Sequence, residues 1–229
     1  IAERYSAWES VARKLAHEIK NPLTPIQLSI DRLREKYSKK ISDGELDFKN
    51  YLETINRQIK DIENLVNEFS NFARMPNPIM KKINVYLVVK RAVDFIKMSS
   101  KNNIGLSATD QNIIINGDEE QLYRVFINLI KNSEESFIEK REKKHDFKGK
   151  INIEITSNND YIVIQLRDNG TGISDTKKVM TPYFTTKKKG SGLGLPIVSK
   201  IINEHSGELS IINNKKEGIS ITISLPLKS

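Results

Sequence analysis

Apolar side chains recur at Val11, Leu15, Ile19, Leu23, Ile26, Ile30 and Leu33, steps of three and four residues that gather on one stripe of a helix. A second set, Leu52, Ile55, Ile59, Ile62, Val66, Phe69 and Ala73, alternates three and four in heptads. The pattern predicts two long helices, about Ser6 to Arg34 and Glu45 to Ala73, joined by the polar turn Ser38-Lys39-Lys40-Ile41-Ser42-Asp43-Gly44. With one apolar face each and a short connection, they should fold back as an antiparallel hairpin. A single hairpin leaves much of both stripes uncovered. Two copies paired as a four-helix bundle would bury them, so a homodimer is expected.

Met75-Pro76-Asn77-Pro78 cannot continue a helix, because proline lacks the N–H and restricts the residue before it. Beyond it the periodicity changes. Helices are expected near Val88 to Met98, Glu119 to Phe137 and Leu195 to His205. Strands are expected around Ile104–Ala108, Ile113–Ile115, Ile151–Thr156, Ile162–Arg167, Leu209–Ile212 and Ile219–Leu225. That order predicts a two-layer α+β sandwich, with the charged stretch Glu139–Lys150 as a solvated loop. The chain thus divides into an all-α hairpin domain (1–76), a linker (77–81) and an α+β domain (82–229).

Composition narrows the chemistry. The chain has no cysteine, which excludes disulfides, thiolate catalysis and Cys-ligated metals. It also has no apolar run near the ~20 residues of a membrane helix. It opens on Ile1, without the basic, apolar and small-residue order of a leader, and reads as part of something longer. The net charge of +8 alone would suggest a nucleic-acid partner, but no set of stacking aromatics or groove-reading helix accompanies it, so none is expected.

Five short constellations carry chemistry. In His17-Glu18-Ile19-Lys20-Asn21-Pro22, His17 stands ~200° round the helix from Leu15 at ~100° per residue, facing solvent. A ring nitrogen there can attack phosphorus while Glu18 fixes the tautomer and takes up the developing charge. Asn21, one turn on, could hold a water in line with a phosphate on His17. Pro22 and Pro25 should bend the helix beside them. Asn128 and Asn132 share a helix face at i, i+4, and an amide oxygen there suits Mg²⁺ beside phosphates. Asp168 ends an apolar strand, where its carboxylate can accept from an exocyclic amine, and Gly170 and Gly172 let backbone approach a flat base. Thr181 to Lys189 reads as a basic lid with aromatic anchors. Gly190-Ser191-Gly192-Leu193-Gly194-Leu195 opens a helix, a site for phosphate. Each taken singly has a plainer explanation as a surface amide, a glycine turn or a charge run.

Their order decides. H-E-x-x-N-P, N-x-x-x-N, D-N-G-T-G, P-Y-F-T-T and G-S-G-L-G-L together resemble the H, N, G1, F and G2 boxes of the sensor histidine kinases of two-component signalling, across essentially the whole chain. The segments Trp8–Ala16, Leu23–Ser29 and Phe69–Pro76 resemble more closely the NtrY-type kinases of nitrogen regulation. The resemblance implies a dimeric helical-hairpin domain followed by a Bergerat-type ATP-binding sandwich. It implies ATP and Mg²⁺ as cofactors and a response-regulator receiver domain as partner. His17 would be the phosphoacceptor, Glu18 its acid/base partner and Asn21 a residue of phosphatase activity. Asn132 would ligate Mg²⁺ with Asn128 in support, and Asp168, Gly170 and Gly172 would form the adenine pocket. Phe184, Thr186 and Lys187 would belong to the lid, and Gly190, Gly192, Leu193 and Gly194 would line the triphosphate. Membrane helices would lie in a preceding segment, leaving this part in the cytoplasm.

Two positions depart from the family pattern. Glu135 stands where many members carry a phosphate-contacting lysine, which moves that role to Lys131, Lys187 or Lys188. Related chaperone, gyrase and repair ATPases use a glutamate at the place of Asn128 to activate water. Its absence favours transfer to histidine over hydrolysis. The alternative is a phosphatase or scaffold module with weak kinase activity.

Overall fold

The computed structural model describes residues 2–37, 45–73, 75–176, 179 and 192–227, with side chains of the first helix described from Ile19 onward. The chain forms two compact units, Ile1–Pro76 and Asn77–Ser229.

The first unit is helix α1 (Ala2–Tyr37) folded back on α2 (Glu45–Ala73). Leu23 and Ile30 of α1 meet Leu52 and Ile59 of α2 in one buried cluster, with Phe48 against it. Gln27 Nε2 donates to Asn56 Oδ1 across the pair at 2.9 Å. The alternate stripe positions are different: Ile19, Ile26, Leu33, Ile55 and Ile62 are all 40–45% exposed. Within one chain, then, the hairpin covers one of the two seam positions of each heptad and leaves the other open. Helix α1 continues through Pro22 and Pro25. Neither ring has an N–H, so the carbonyls of Glu18 and Asn21 lose their usual intrahelical donor without the helix ending.

The second unit begins with a strand the sequence pattern did not announce, β1 (Lys81–Asn84). It then runs α3 (Val85–Lys97), β2 (Asn103–Ala108), β3 (Ile114–Gly117), α4 (Glu119–Lys143), β4 (Lys150–Ser157), β5 (Tyr161–Asp168), α5 (Gly194–Glu204), β6 (Glu208–Asn213) and β7 (Ile219–Pro226). A five-stranded sheet has the order β2-β4-β5-β7-β6, with β2 parallel to β4 and the remaining pairs antiparallel. Its register aligns Ile153 with Leu166 and Ile155 with Ile164, then Ile164 with Ile223 and Ile162 with Leu225. This buried face meets the apolar sides of α3, α4 and α5, including Val89, Ala92, Leu122, Leu129, Ile130, Val198 and Ile201. β1 pairs with β3 in a separate ribbon, Ile83 opposite Ile115. One apolar residue in four gave β1 no period of its own.

The expected loop at 139–150 is corrected by the structure. Helix α4 runs on to Lys143, and its last turns are anchored to other elements. The Phe137 ring packs 5.7 Å from Phe147, and Arg141 donates to Asn102 Oδ1. Lys140, far from being solvated, reaches across to the strand-end loop described below.

Helix starts follow capping chemistry. Asn84 Oδ1 accepts from Leu87 N at the start of α3, and Asp118 Oδ1 accepts from the N–H groups of Glu120 and Gln121 at the start of α4. His205, at the end of α5, is 4% exposed. Its Nε2 accepts from Asp118 N at 2.9 Å while Nδ1 lies 2.8 Å from Ile201 O, so both ring nitrogens face a backbone partner. It joins the end of α5 to the start of α4.

Candidate functional site

Helix α4 carries Asn128, Asn132, Ser136 and Lys140 at successive steps of four, one ridge along its surface. The ridge runs from the start of α5 at one end to the loop after β5 at the other. Asn132 is half-buried, and a Cβ built on Gly194 would lie 3.6 Å from its Nδ2. The first turn of α5, where helix N–H groups and the positive dipole end are concentrated, therefore lies beside this amide. Leu193 is the buried N-cap residue, and Gly192 before it has φ +70°, a left-handed conformation that favours glycine. The Nδ2 of Asn128 is buried with no acceptor among the described residues. Lys131 is exposed, about 100° round α4 from Asn132.

At the other end Asp168 is 6% exposed and heavily engaged. Its Oδ2 accepts from Ser133 Oγ at 2.8 Å, and its Oδ1 from Gly170 N at 2.9 Å and Ile219 N at 3.2 Å. A carboxylate has about four acceptor positions, so three donors leave room for one more. The loop past it has no space for larger residues. A Cβ on Gly170 would meet Ser136 Oγ at 1.9 Å, and one on Gly218 would meet Asp168 O at 2.0 Å. Gly172 has φ +79°. The next residue is clamped by Asn213, whose Oδ1 accepts from Ile173 N at 2.9 Å while its Nδ2 donates to Ile173 O at 2.7 Å. Asn214 Nδ2 donates to Asp168 O, and Ser220 Oγ donates to Asn214 Oδ1.

The arrangement has two chemically different ends. Amide groups beside a helix start suit an anion, and a buried carboxylate held by N–H and O–H donors suits an amine. The structure brings Asn128, Asn132, Asp168, Gly170 and Gly194 around one helix ridge. In the other unit, His17 and Glu18 lie on α1 with their side chains outside the described residues, and Asn21 is exposed one turn on. Phe184, Thr186, Lys187, Lys188 and Gly190 also lie outside the described residues. Sequence reading missed Ser133, Ser136, Lys140, Asn213, Asn214 and Gly218. Extending the four-residue step from Asn132 would have found Ser136 and Lys140, and the N-x-x-x-G turn between two strands pointed to Asn214 and Gly218.

Residues 7–78 match the family described as His Kinase A (phospho-acceptor) domain, and residues 117–229 match the histidine kinase-, DNA gyrase B-, and HSP90-like ATPase family. An NtrY-like sensor histidine kinase of Rickettsia felis is 43% identical over all of this chain, which spans 37% of that protein. The nitrogen regulation protein NtrY of Azorhizobium caulinodans is 36% identical over all of the chain, which spans 30% of it. The chain thus spans about a third of the length of these curated relatives. A crystal structure of histidine kinase ThkA in complex with the response regulator TrrA shares the fold, with a TM-score of 0.67 at 22% identity, covering 98% of this chain and 63% of that one. A phospho-acceptor hairpin followed by an ATPase sandwich, matched along its whole length by NtrY-type proteins, makes this chain a member of the sensor histidine kinase family.

Proposed function

We propose that the chain is the kinase portion of a two-component sensor, which phosphorylates His17 from ATP and passes the phosphoryl group to an aspartate of a response-regulator receiver domain. The observation that carries the nucleotide half is the α4 ridge, which has an anion-suited end at Asn132 and Gly194 and an amine-suited end at Ser133 and Asp168. ATP likewise has an anionic end and an end that carries an amine.

Asp168 accepts from the adenine amine, with Gly170 and Gly172 keeping the backbone flat around the base. The first turn of α5, with Gly190, Gly192, Leu193 and Gly194 before and within it, receives the phosphates. The orphaned Nδ2 of Asn128 is a donor suited to a phosphate oxygen. Asn132 fits Mg²⁺ through its amide oxygen, with Asn128 beside it; when bound, the ion neutralises charge on the β- and γ-phosphates. Phe184, Thr186 and Lys187 close over the nucleotide, and the phosphate-contacting cation that Glu135 does not provide comes from Lys131, Lys187 or Lys188. Two further features support transfer over hydrolysis: Asn128 is no general base, and a phospho-acceptor domain is present.

In the transfer, a ring nitrogen of His17 attacks the γ-phosphorus in line, the N–P bond forms and the P–O bond to ADP breaks. Glu18 orients the imidazole and takes up the proton it sheds. The carbonyls of Glu18 and Asn21 are released from helix pairing by Pro22 and Pro25, which gives this turn backbone acceptors of its own. Asn21 positions water for removal of the phosphoryl group from the receiver. A second copy of the chain covers the exposed seam positions Ile19, Ile26, Leu33, Ile55 and Ile62, completing a four-helix bundle. Segments beyond this chain would supply the membrane anchor and the sensory input.

The test is incubation with Mg²⁺ and γ-labelled ATP. Wild type should take up alkali-stable, acid-labile label, and His17→Ala and Asn132→Asp should take up none. Bound ATP without label on wild type would overturn the kinase reading.

A further inference from the structure

We propose that Lys140 is a positioning residue for base selection: its ammonium group holds the backbone after Asp168 so that the carboxylate meets the amine of adenine. The inference rests on the nucleotide reading above and goes further, to a residue eight positions beyond the amide at the phosphate end.

Lys140 Nζ donates to Asn169 O at 2.6 Å, to Gly170 O at 3.0 Å and to Glu217 Oε2 at 2.5 Å. An ammonium has three donors, and all three are used. The side chain is 17% exposed, and Nζ lies 4.7 Å from the centre of the Phe147 ring. With no donor left over, Lys140 acts through the loop it holds and not by touching a ligand.

Its three acceptors explain why the group is a cation. Two carbonyls and a carboxylate converge on one point, and without a positive charge between them these oxygens repel. Two of them belong to the residues immediately after Asp168. The third, Glu217, precedes Gly218 in the turn that closes over Asp168, where Asn214 N donates to Gly218 O at 3.0 Å and Asn214 Nδ2 reaches both Asp168 O and Glu217 O. Helix α4 therefore grips the pocket at two points seven residues apart. Ser133 holds the Asp168 side chain, and Lys140 fixes the backbone that follows it together with the turn above it. Asn169 has a further tie, its Oδ1 accepting from Lys150 N at 2.8 Å. The main-chain N–H of Gly170, which donates to Asp168 Oδ1, belongs to one of the two residues whose carbonyls Lys140 holds. Releasing Lys140 turns that peptide and changes the direction in which the carboxylate points.

Because Asp168 distinguishes an amine from a carbonyl, the consequence is selective. Guanine presents a carbonyl where adenine presents its amine, so GTP gains nothing from the held geometry. Calorimetric titration of the whole chain with Mg-ATP and Mg-GTP tests this on wild type, Lys140→Met, Lys140→Arg and Glu217→Gln. Lys140→Met should weaken ATP at least about tenfold, the change expected on losing a hydrogen bond that orients a charged group. GTP affinity should stay within about twofold, so that discrimination collapses. Phosphorylation of His17 at saturating ATP should be retained, a rise in KM without a fall in kcat. Lys140→Arg, which keeps the charge, should recover part of the discrimination, and Glu217→Gln, which leaves both carbonyl bonds, should have the smaller effect. Parallel loss of ATP and GTP would show a general structural role and overturn the proposal, as would unchanged ATP binding in Lys140→Met. If wild type binds neither nucleotide, the nucleotide reading fails and this inference fails with it; if wild type prefers ATP and Lys140→Met does so equally, this inference alone fails.

Discussion

Replacing Gly218 by alanine places a methyl group 2.0 Å from the carbonyl oxygen of Asp168 and 2.6 Å from its Oδ1. Neither neighbour is the free end of a flexible side chain: the first is backbone of β5, and the second is held by Gly170 and Ile219. Gly218 also has φ +74°, and a left-handed conformation costs a non-glycine residue about 1–2 kcal/mol. Forcing an extra carbon into a packed site costs a further ~1–3 kcal/mol. The sum, roughly 2–5 kcal/mol, should lower the melting temperature of the second unit by roughly 4–20 °C, since ~1 kcal/mol moves a domain of 150–250 residues by about 2–4 °C. Calorimetric melting reads this, and ATP titration below the transition should show weakened binding because the clash is with Asp168 itself. A companion variant separates the two costs. Asparagine tolerates left-handed backbone better than alanine does, yet carries the same Cβ, so Gly218→Asn should stay close to Gly218→Ala if the clash dominates. A Gly218→Ala protein that melts within a degree of wild type and binds ATP normally would refute the reasoning, because the turn would then not be closed over the carboxylate.

Two more outcomes follow from the same structure. Burial works against the charged form of the Asp118 carboxyl, but donation from the N–H groups of Gln121, Ile79 and Glu120 outweighs it and holds the group below the ordinary aspartate value of 3.8. A depressed folded value means the stabilisation is complete above about pH 4 and is lost as pH falls through the folded value. Asp118→Asn keeps one cap acceptor but gives up the charge-dependent part, so it should lower stability near pH 7 and flatten the acid limb in denaturant titrations, and Asp118→Ala should cost about 0.5–2 kcal/mol at neutral pH. For the hairpin, Ile26→Asp with Ile55→Asp places charges on the exposed seam positions while sparing the buried Leu23 and Ile30. Sedimentation should show a dimer of the wild type converted to monomer with helicity retained; a persistent dimer would mean the two copies meet elsewhere.

The hairpin was readable because its signal is local: a heptad is complete within seven residues, and capping or proline chemistry is complete within four. Strands β4, β5 and β7 announced themselves by alternation for the same reason. β1 did not, since Ile83 alone gives no period and its partner Ile115 lies beyond a helix. The end of α4 was misread because Glu139 to Lys143 looks like a solvated charge run. Its partners, Asn169 and Gly170 for Lys140 and Asn102 for Arg141, are 29, 30 and 39 residues away. His205 carried no signal of its own and is a buried connector, for which the decisive residue, Asp118, lies 87 positions upstream.

For the candidate site the division is similar. Asn128, Asn132, Asp168 and the glycines stood out because each occurs in a short motif whose residue types suit phosphate, metal or amine. Ser133 and Asn213 did not, because an ordinary serine in a helix and an asparagine at a strand end acquire meaning only from what faces them. By itself the sequence determined the two kinds of domain, their order, the helical seams and the short motifs that hold the candidate groups, all of which depend on spacing along the chain. The tertiary structure decided how far α4 extends, which seam positions remain uncovered, and how Ser133, Lys140 and the turn at Gly218 hold Asp168. Those depend on contacts across tens of residues, where the partner of a side chain is fixed by packing and not by its neighbours in sequence.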